Sequence, residues 1–188
     1  MREDIQRWQR KYAQREPEAT IEPDALLRAH QRLLTGGGLG IDLAGGTGDN
    51  GLYLCGLGYR TIVIDASETG LRLCRHKAGV NGLRPMLVAA DLDRFTLPPS
   101  TFDIALVFRY LNRSLIGPIR DCLRPGGLLF YKTFNIHHLR ERPGFNRDYV
   151  LAPGELREWF AGLDCIASND GEADTATWHW VGRRPEYA

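Results

Sequence analysis

Ile41-Asp42-Leu43-Ala44-Gly45-Gly46-Thr47-Gly48-Asp49-Asn50-Gly51 is the stretch on which the fold turns. A short apolar run, residues 39–43, leads into the glycines, and Leu52, Tyr53 and Cys55 open a helix that stops near Gly56 and Gly58. Glycines between a strand and a helix let the backbone reverse sharply and approach a ligand closely. Taken literally, Gly46-Thr47-Gly48-Asp49-Asn50-Gly51 fits the G-x-G-x-x-G fingerprint of dinucleotide sites, a pattern that is weak alone. The acids argue against a pyrophosphate. Asp42 puts a carboxylate near the strand end, and Asp49 puts another at the helix start, where a bound phosphate would sit. Both would repel a phosphate and attract an ammonium or sulfonium. The expected ligand is a nucleoside with a cationic tail.

Outward from this turn, strand and helix alternate. Thr61 to Asp65 (TIVID) is β-branched and apolar, the mark of a buried strand. Ser67 can cap a helix in which Leu71, Cys74 and Ala78 share a face. Residues 86–90 and 103–108 read as strands. Leu115, Ile116, Ile119, Cys122 and Leu123 form a helical stripe with Pro118 in its first turn. Arg124-Pro125-Gly126-Gly127 reads as a sharp turn before a fifth strand, residues 128–134. A helix over 155–161 and strands near 164–168 and 175–183 close the chain. Before the glycine turn, Ile5, Trp8 and Tyr12 lie at helical spacing, and a second helix runs from Pro23 or Asp24 to about Leu34. Such alternation implies right-handed crossovers and a parallel sheet. The expected fold class is α/β: a doubly wound, mostly parallel sheet of about seven strands flanked by helices.

Two further acids fall at strand ends, where open α/β sheets bind ligands. Asp65 lies about 20 residues past the glycine turn and can accept from ribose hydroxyls. Asp91 follows the third strand and can accept from an adenine amino group, with Leu92 against the ring. Taken with Asp42-x-Ala44-x-Gly46-x-Gly48, the Phe102-Asp103 opening of the fourth strand and Leu123-Arg124-Pro125-Gly126-Gly127, these residues resemble the class I, Rossmann-like S-adenosylmethionine-dependent methyltransferases. The resemblance covers residues 38–135. The chain as a whole is similar to small bacterial methyltransferases of the tellurite-resistance and thiopurine-methylating type. Ala44 departs from the family's first glycine.

The resemblance implies S-adenosyl-L-methionine as cofactor and assigns roles. Asp42 orders the loop or reaches the cofactor's amino group through water. Ala44, Gly45, Gly46, Gly48 and Asn50 make the loop, with Gly46 and Gly48 along the methionine part. Asp65 and Ala66 serve the ribose, Asp91 and Leu92 the adenine, and Phe108 completes the set. It also implies an N-terminal segment that covers the cofactor, with Trp8 and Tyr12 in place to do so.

The acceptor side is less legible. Methyl transfer from a sulfonium needs placement more than a base, so a missing catalytic dyad is no objection. The residues after the fourth strand, Phe108-Arg109-Tyr110-Leu111-Asn112-Arg113, lack the Asn-Pro-Pro-aromatic signature of amino-methylating enzymes. Arg109 can bind an anionic acceptor, Tyr110 can face the sulfonium, and His137 or its neighbour His138 can act as a base. Residues 135–152 read as an aperiodic lid or binding loop. No metal site is expected, since adjacent histidines cannot easily face one ion. A small-molecule acceptor is the favoured reading. The alternatives are a catalytically silent, cofactor-binding regulatory module and an NAD(P)-dependent oxidoreductase, which would need pyrophosphate beside Asp42 and Asp49.

Composition narrows the field. A net charge of +1 argues against nucleic acid or an anionic membrane as partner. No apolar run is long enough to span a bilayer, and the charged N-terminus is unlike a secretory signal. Cys55, Cys74, Cys122 and Cys165 have no metal-binding spacing and read as free thiols of a cytoplasmic protein. With 188 residues the expectation is one domain: an N-terminal helical cover (1–35), a cofactor-binding core (36–135), and a lid, helix and closing strands (136–188).

Overall fold

The glycine turn lies between a strand and a helix, as its composition requires. The computed structural model describes residues 2–186, with side chains from residue 4 onward, and divides into two units, Met1–Phe95 and Thr96–Ala188.

The first unit holds α1 (Arg2–Ala13), α2 (Ala25–Ala29), β1 (Leu39–Leu43), α3 (Asp49–Gly56), β2 (Arg60–Asp65), α4 (Glu68–Val80) and β3 (Met86–Ala89). Its strands are parallel, in the order β3-β2-β1. α3 and α4 are the crossovers that parallel pairing demands. Ser67 caps α4, its Oγ accepting from Gly70 N at 3.2 Å. Leu52 of α3, Val63 of β2, and Leu71, Cys74 and Ala78 of α4 make one buried cluster. A fully buried leucine or valine there contributes about 1.5–3 kcal/mol. α2 is shorter than its sequence suggests. Asp24 caps it, but His30 leaves the α region at φ −106° and the chain tightens into a 3-10 turn, Gln31–Leu33. α3 begins at Asp49, the helix start at which its sequence position put it, because Gly48 supplies the left-handed residue that lets the helix begin there.

The second unit holds β4 (Phe102–Phe108), α5 (Ile116–Asp121), β5 (Leu123–Phe134), α6 (His138–Glu141), α7 (Glu155–Trp159), β6 (Asp164–Ser168) and β7 (Thr177–Arg183). β4 and β5 are parallel, and β7 pairs antiparallel with both β5 and β6, giving the order β4-β5-β7-β6. Ile104 to Val107 are fully buried, a central strand's pattern. Tyr131 and Phe160 pack ring to ring at 5.4 Å, with Trp180 beyond.

Two expectations change here. Residues 124–127 are not a turn. β5 begins at Leu123 and runs through them, because Gly126 N donates to Arg184 O and Arg184 N to Gly127 O, both at 2.8 Å. A register shift against β4 absorbs the irregularity. Residues 135–152, expected to be irregular, contain α6 and a 3-10 turn at Arg147–Tyr149. The start of the segment is fixed by Asn135, which is fully buried. Its side chain donates to Thr175 O and accepts from His137 N, both at 2.8 Å. Among the described residues no helix is long and apolar enough to cross a membrane. All four cysteines are free.

Candidate functional site

The first unit gathers its acids around the glycine loop. Asp42, near the end of β1, is buried, and its Oδ2 accepts from Gly51 N at 2.8 Å. That bond ties the strand to α3 across the turn. It also explains two glycines. A Cβ at Gly45 would lie 2.6 Å from Val63 Cγ1 and 2.8 Å from Asp42 Oδ2, and one at Gly51 would lie 2.6 Å from Val63 Cγ2. Ala44 takes the left-handed conformation at φ 55°, where glycine is the unstrained choice; its methyl costs about 1 kcal/mol.

Asp65 ends β2 as a clamp. One oxygen accepts from Gly46 N at 2.8 Å and the other from Ser67 N at 2.7 Å. Each carboxylate oxygen keeps a second acceptor position, so ribose hydroxyls can still be received. Ala66 lies half-buried between the clamp's arms. Burial pushes the Asp42 carboxyl up to about 7, the Gly51 bond opposing and the charges of Asp65 and Asp49 adding to it. Burial also raises Asp65, against its two backbone bonds.

Asp49 has a different setting from the one its sequence position suggests. Lys77 of α4 pairs with it, and Glu22 N and Thr47 Oγ1 donate to it. Its charge is therefore largely compensated, and the repulsion of a phosphate falls to Asp42 and Asp65. Asn50 accepts from Asp24 N at 2.8 Å, fastening the start of α2 to the loop. Asp91 Oδ1 accepts from Asp93 N in a local turn, with Leu92 buried beside it.

α1 rests on this loop. Tyr12 lies against Gly46 and Gly70, so closely that a Cβ on either glycine would meet its ring or hydroxyl. Gln9 Oε1 accepts from Ser67 Oγ and from Thr69 N, both at 3.2 Å. Trp8 stacks on Tyr12 at 5.5 Å. Gln9 and Lys77 escape a sequence reading. Gln9 sits one helical turn from Tyr12 and could have been flagged by that spacing; Lys77 pairs across 28 positions and leaves no local signal.

In the second unit, Phe108 is buried at the end of β4. Arg109 follows it, exposed and at φ 58°, with its N–H bonded to Lys132 O at 2.8 Å. Tyr110 O accepts from Tyr131 Oη at 3.2 Å. His137 sits edge-on to Trp178 at 5.7 Å. His138 is buried, stacked on Phe134 at 4.2 Å. Among the described residues no group of three acidic, histidine or cysteine side chains is placed to hold a metal ion.

Residues 41–127 match the family model described as a methyltransferase domain. That stretch, from β1 to the opening of β5, is similar to the methyltransferase domain in sequence. Solved structures agree on the fold. TehB from Haemophilus influenzae superposes with a TM-score of 0.74 at 17% identity, over 88% of this chain and 63% of that one. A structure described for the conversion of a disulfide bond into a thioacetal group during echinomycin biosynthesis gives 0.73 at 20% identity, covering 98% and 94%. An S-adenosylmethionine-dependent methyltransferase from Mesorhizobium loti gives 0.69 at 18%, covering 88% and 100%. At these identities the likeness is one of fold. No curated protein matches the chain by sequence.

The methyltransferase family and fold imply S-adenosyl-L-methionine as the cofactor. The residues present fit it. Burial, with the charge of Asp65 adding to it, pushes the Asp42 carboxyl toward the neutral form beside a loop whose glycines admit close approach. A cationic ligand relieves that repulsion, and a pyrophosphate would add to it.

Proposed function

We propose that the protein is an enzyme that transfers the methyl group of S-adenosylmethionine to a small-molecule acceptor. The observation that carries this reading is the Asp65 clamp at the end of β2, joined to the glycine loop through Gly46 and to α4 through Ser67. Asp65 holds the ribose, Gly46 and Gly48 line the methionine part, and Asp91 with Leu92 receives the adenine. When bound, the cofactor supplies a methyl group already activated by its sulfonium. The chain's own residues then have placement as their main task. Holding nucleophile and carbon about 3–3.5 Å apart is worth about 7–11 kcal/mol. On the acceptor side we assign Arg109 to an anionic part of the molecule and Tyr110 to its walls. His137 packs on Trp178, which suits it to shaping more than to proton transfer. The four free thiols support a cytoplasmic location.

The test is a thermal-shift titration with S-adenosylmethionine, S-adenosylhomocysteine and NAD, on the wild type and Asp65→Ala. A ligand at a hundred times its dissociation constant adds about 2.7 kcal/mol. Both sulfur nucleosides should stabilise the wild type, NAD should not, and the variant should respond weakly. Absence of any nucleoside response at millimolar concentration sinks the proposal. Formation of S-adenosylhomocysteine with a panel of small acceptors then separates an enzyme from a binding module.

A further inference from the structure

The segment after β5 is held by a set of backbone and side-chain hydrogen bonds. Asn135 N donates to Ala176 O, Ile136 N and Leu151 N bond across the Asn135–Leu151 bridge, and His138 N donates to Asn135 O at 3.0 Å. These bonds, with those of the Asn135 side chain, hold the first turn of α6 in one conformation. The imidazole that this turn carries is just 7% exposed, and its Nδ1 has no hydrogen-bond partner. A buried, rigidly held polar atom without a partner costs about 1–3 kcal/mol and calls for an explanation.

Its surroundings supply one. Phe134 stacks on the imidazole at 4.2 Å, and Phe145 meets it edge-on at 4.9 Å. Both phenyl residues are half-buried, so partly accessible apolar surface flanks the orphaned nitrogen. Phe134 is the last residue of β5, at the carboxyl end of the parallel β4–β5 pair, the end at which open α/β sheets receive ligands. Thr133 Oγ1 and Trp180 Nε1 are also without partners, but they lie on the other face of β5 and β7. Trp180 there covers Gly182 and packs on Phe160.

We propose that His138 Nδ1 is the hydrogen-bond partner of the methyl acceptor, and that the acceptor is an aromatic molecule carrying a hydroxyl or amine hydrogen. The word acceptor rests on the methyltransferase reading above. The imidazole nitrogen receives the donor hydrogen, and Phe134 and Phe145 bear on the apolar body. Of the two adjacent histidines it is thus His138 that meets the acceptor, while the His137 ring packs on Trp178.

The experiment uses the full chain with 15N-labelled histidine and follows ring nitrogens by NMR. Phenol and aniline are the donor probes, and anisole is the same ring without the hydrogen. Phenol or aniline should move the His138 Nδ1 resonance saturably, anisole should not, and the ring signals of His30 and His76 should stay still. His138→Phe keeps the stack and should weaken phenol binding about tenfold. His138→Asn returns a polar atom near the Nδ1 position and should recover most of it. An unmoved Nδ1 resonance overturns the proposal, as does an equal response to anisole. So does wild-type phenol affinity in a folded His138→Phe. Should His138→Phe fail to fold, the wild-type shifts and His138→Asn decide. S-adenosylhomocysteine binding, measured on the same samples, reports on the methyltransferase reading separately from the histidine.

Discussion

Replacing Asp42 with asparagine should change how stability depends on pH, with a sign that burial dictates. In the folded chain the Asp42 carboxyl titrates at about 7, against 3.8 for an ordinary aspartate, chiefly because it is buried. Between those values the folded state holds a proton that the unfolded chain has lost. Stability therefore falls as pH rises through this window and levels off above it. The gap corresponds to a penalty of about 4 kcal/mol at alkaline pH, of which about 2–3 kcal/mol accrues between pH 5 and pH 8. The asparagine side chain cannot ionise, and its carbonyl can still accept from Gly51 N–H. Its amide, placed where a carboxylate oxygen was, adds an offset that does not vary with pH. Urea unfolding at pH 5, 6, 7 and 8 should show the wild type losing ground to Asp42→Asn by about 2–3 kcal/mol. The wild type will also carry a contribution of the same sign from Asp65, which the difference between the two proteins largely removes. A difference that is flat from pH 5 to pH 8 would refute the reasoning and mean that Asp42 is ionised throughout.

Gly51→Ala places a Cβ 2.6 Å from Val63 Cγ2 and 3.0 Å from Asp42 Oδ2, so the urea midpoint should drop by the equivalent of about 1–3 kcal/mol at an unchanged slope. Asp49→Ala strands Lys77, which is 5% exposed, and should cost about 3 kcal/mol; the double variant with Lys77→Met should recover part of that, and a double variant no better than the single contradicts the pairing argument. Tyr12→Ala removes the contact between α1 and Gly46, so hydrogen exchange should speed up across residues 4–13 while the buried face of α4 keeps its protection.

Much of this protein is legible in the order of its residues because its signals are local. The glycine turn, the TIVID strand and the Ser67 cap depend on neighbours within a few residues, and the structure returns all three. Boundaries fared less well where backbone groups found distant partners. The Arg124–Gly127 segment has the composition of a turn, yet the chain past β7 comes back to pair with it, and the strand starts at Leu123 instead of Leu128. Residues 135–152 have no periodicity, yet the buried side chain of Asn135 anchors their start, and Arg113, donating to Asp148 O and Val150 O, holds their end.

The same division runs through the site. Strand-end acids at 42, 65 and 91, their spacing and the glycines between them are properties of the sequence, because a strand–turn–helix unit puts such residues at one end of a parallel sheet whatever surrounds them. What those acids touch is a tertiary matter. Asp49 reads as a free carboxylate until α4 brings Lys77 to it. Asp65 reads as a ribose ligand until folding shows it also clamping two backbone amides. His137 and His138 are equivalent in sequence, and only packing on Trp178 and Phe134 tells them apart. Hydrogen bonds and burial between residues far apart in the chain depend on how the elements stack, and no local pattern records that.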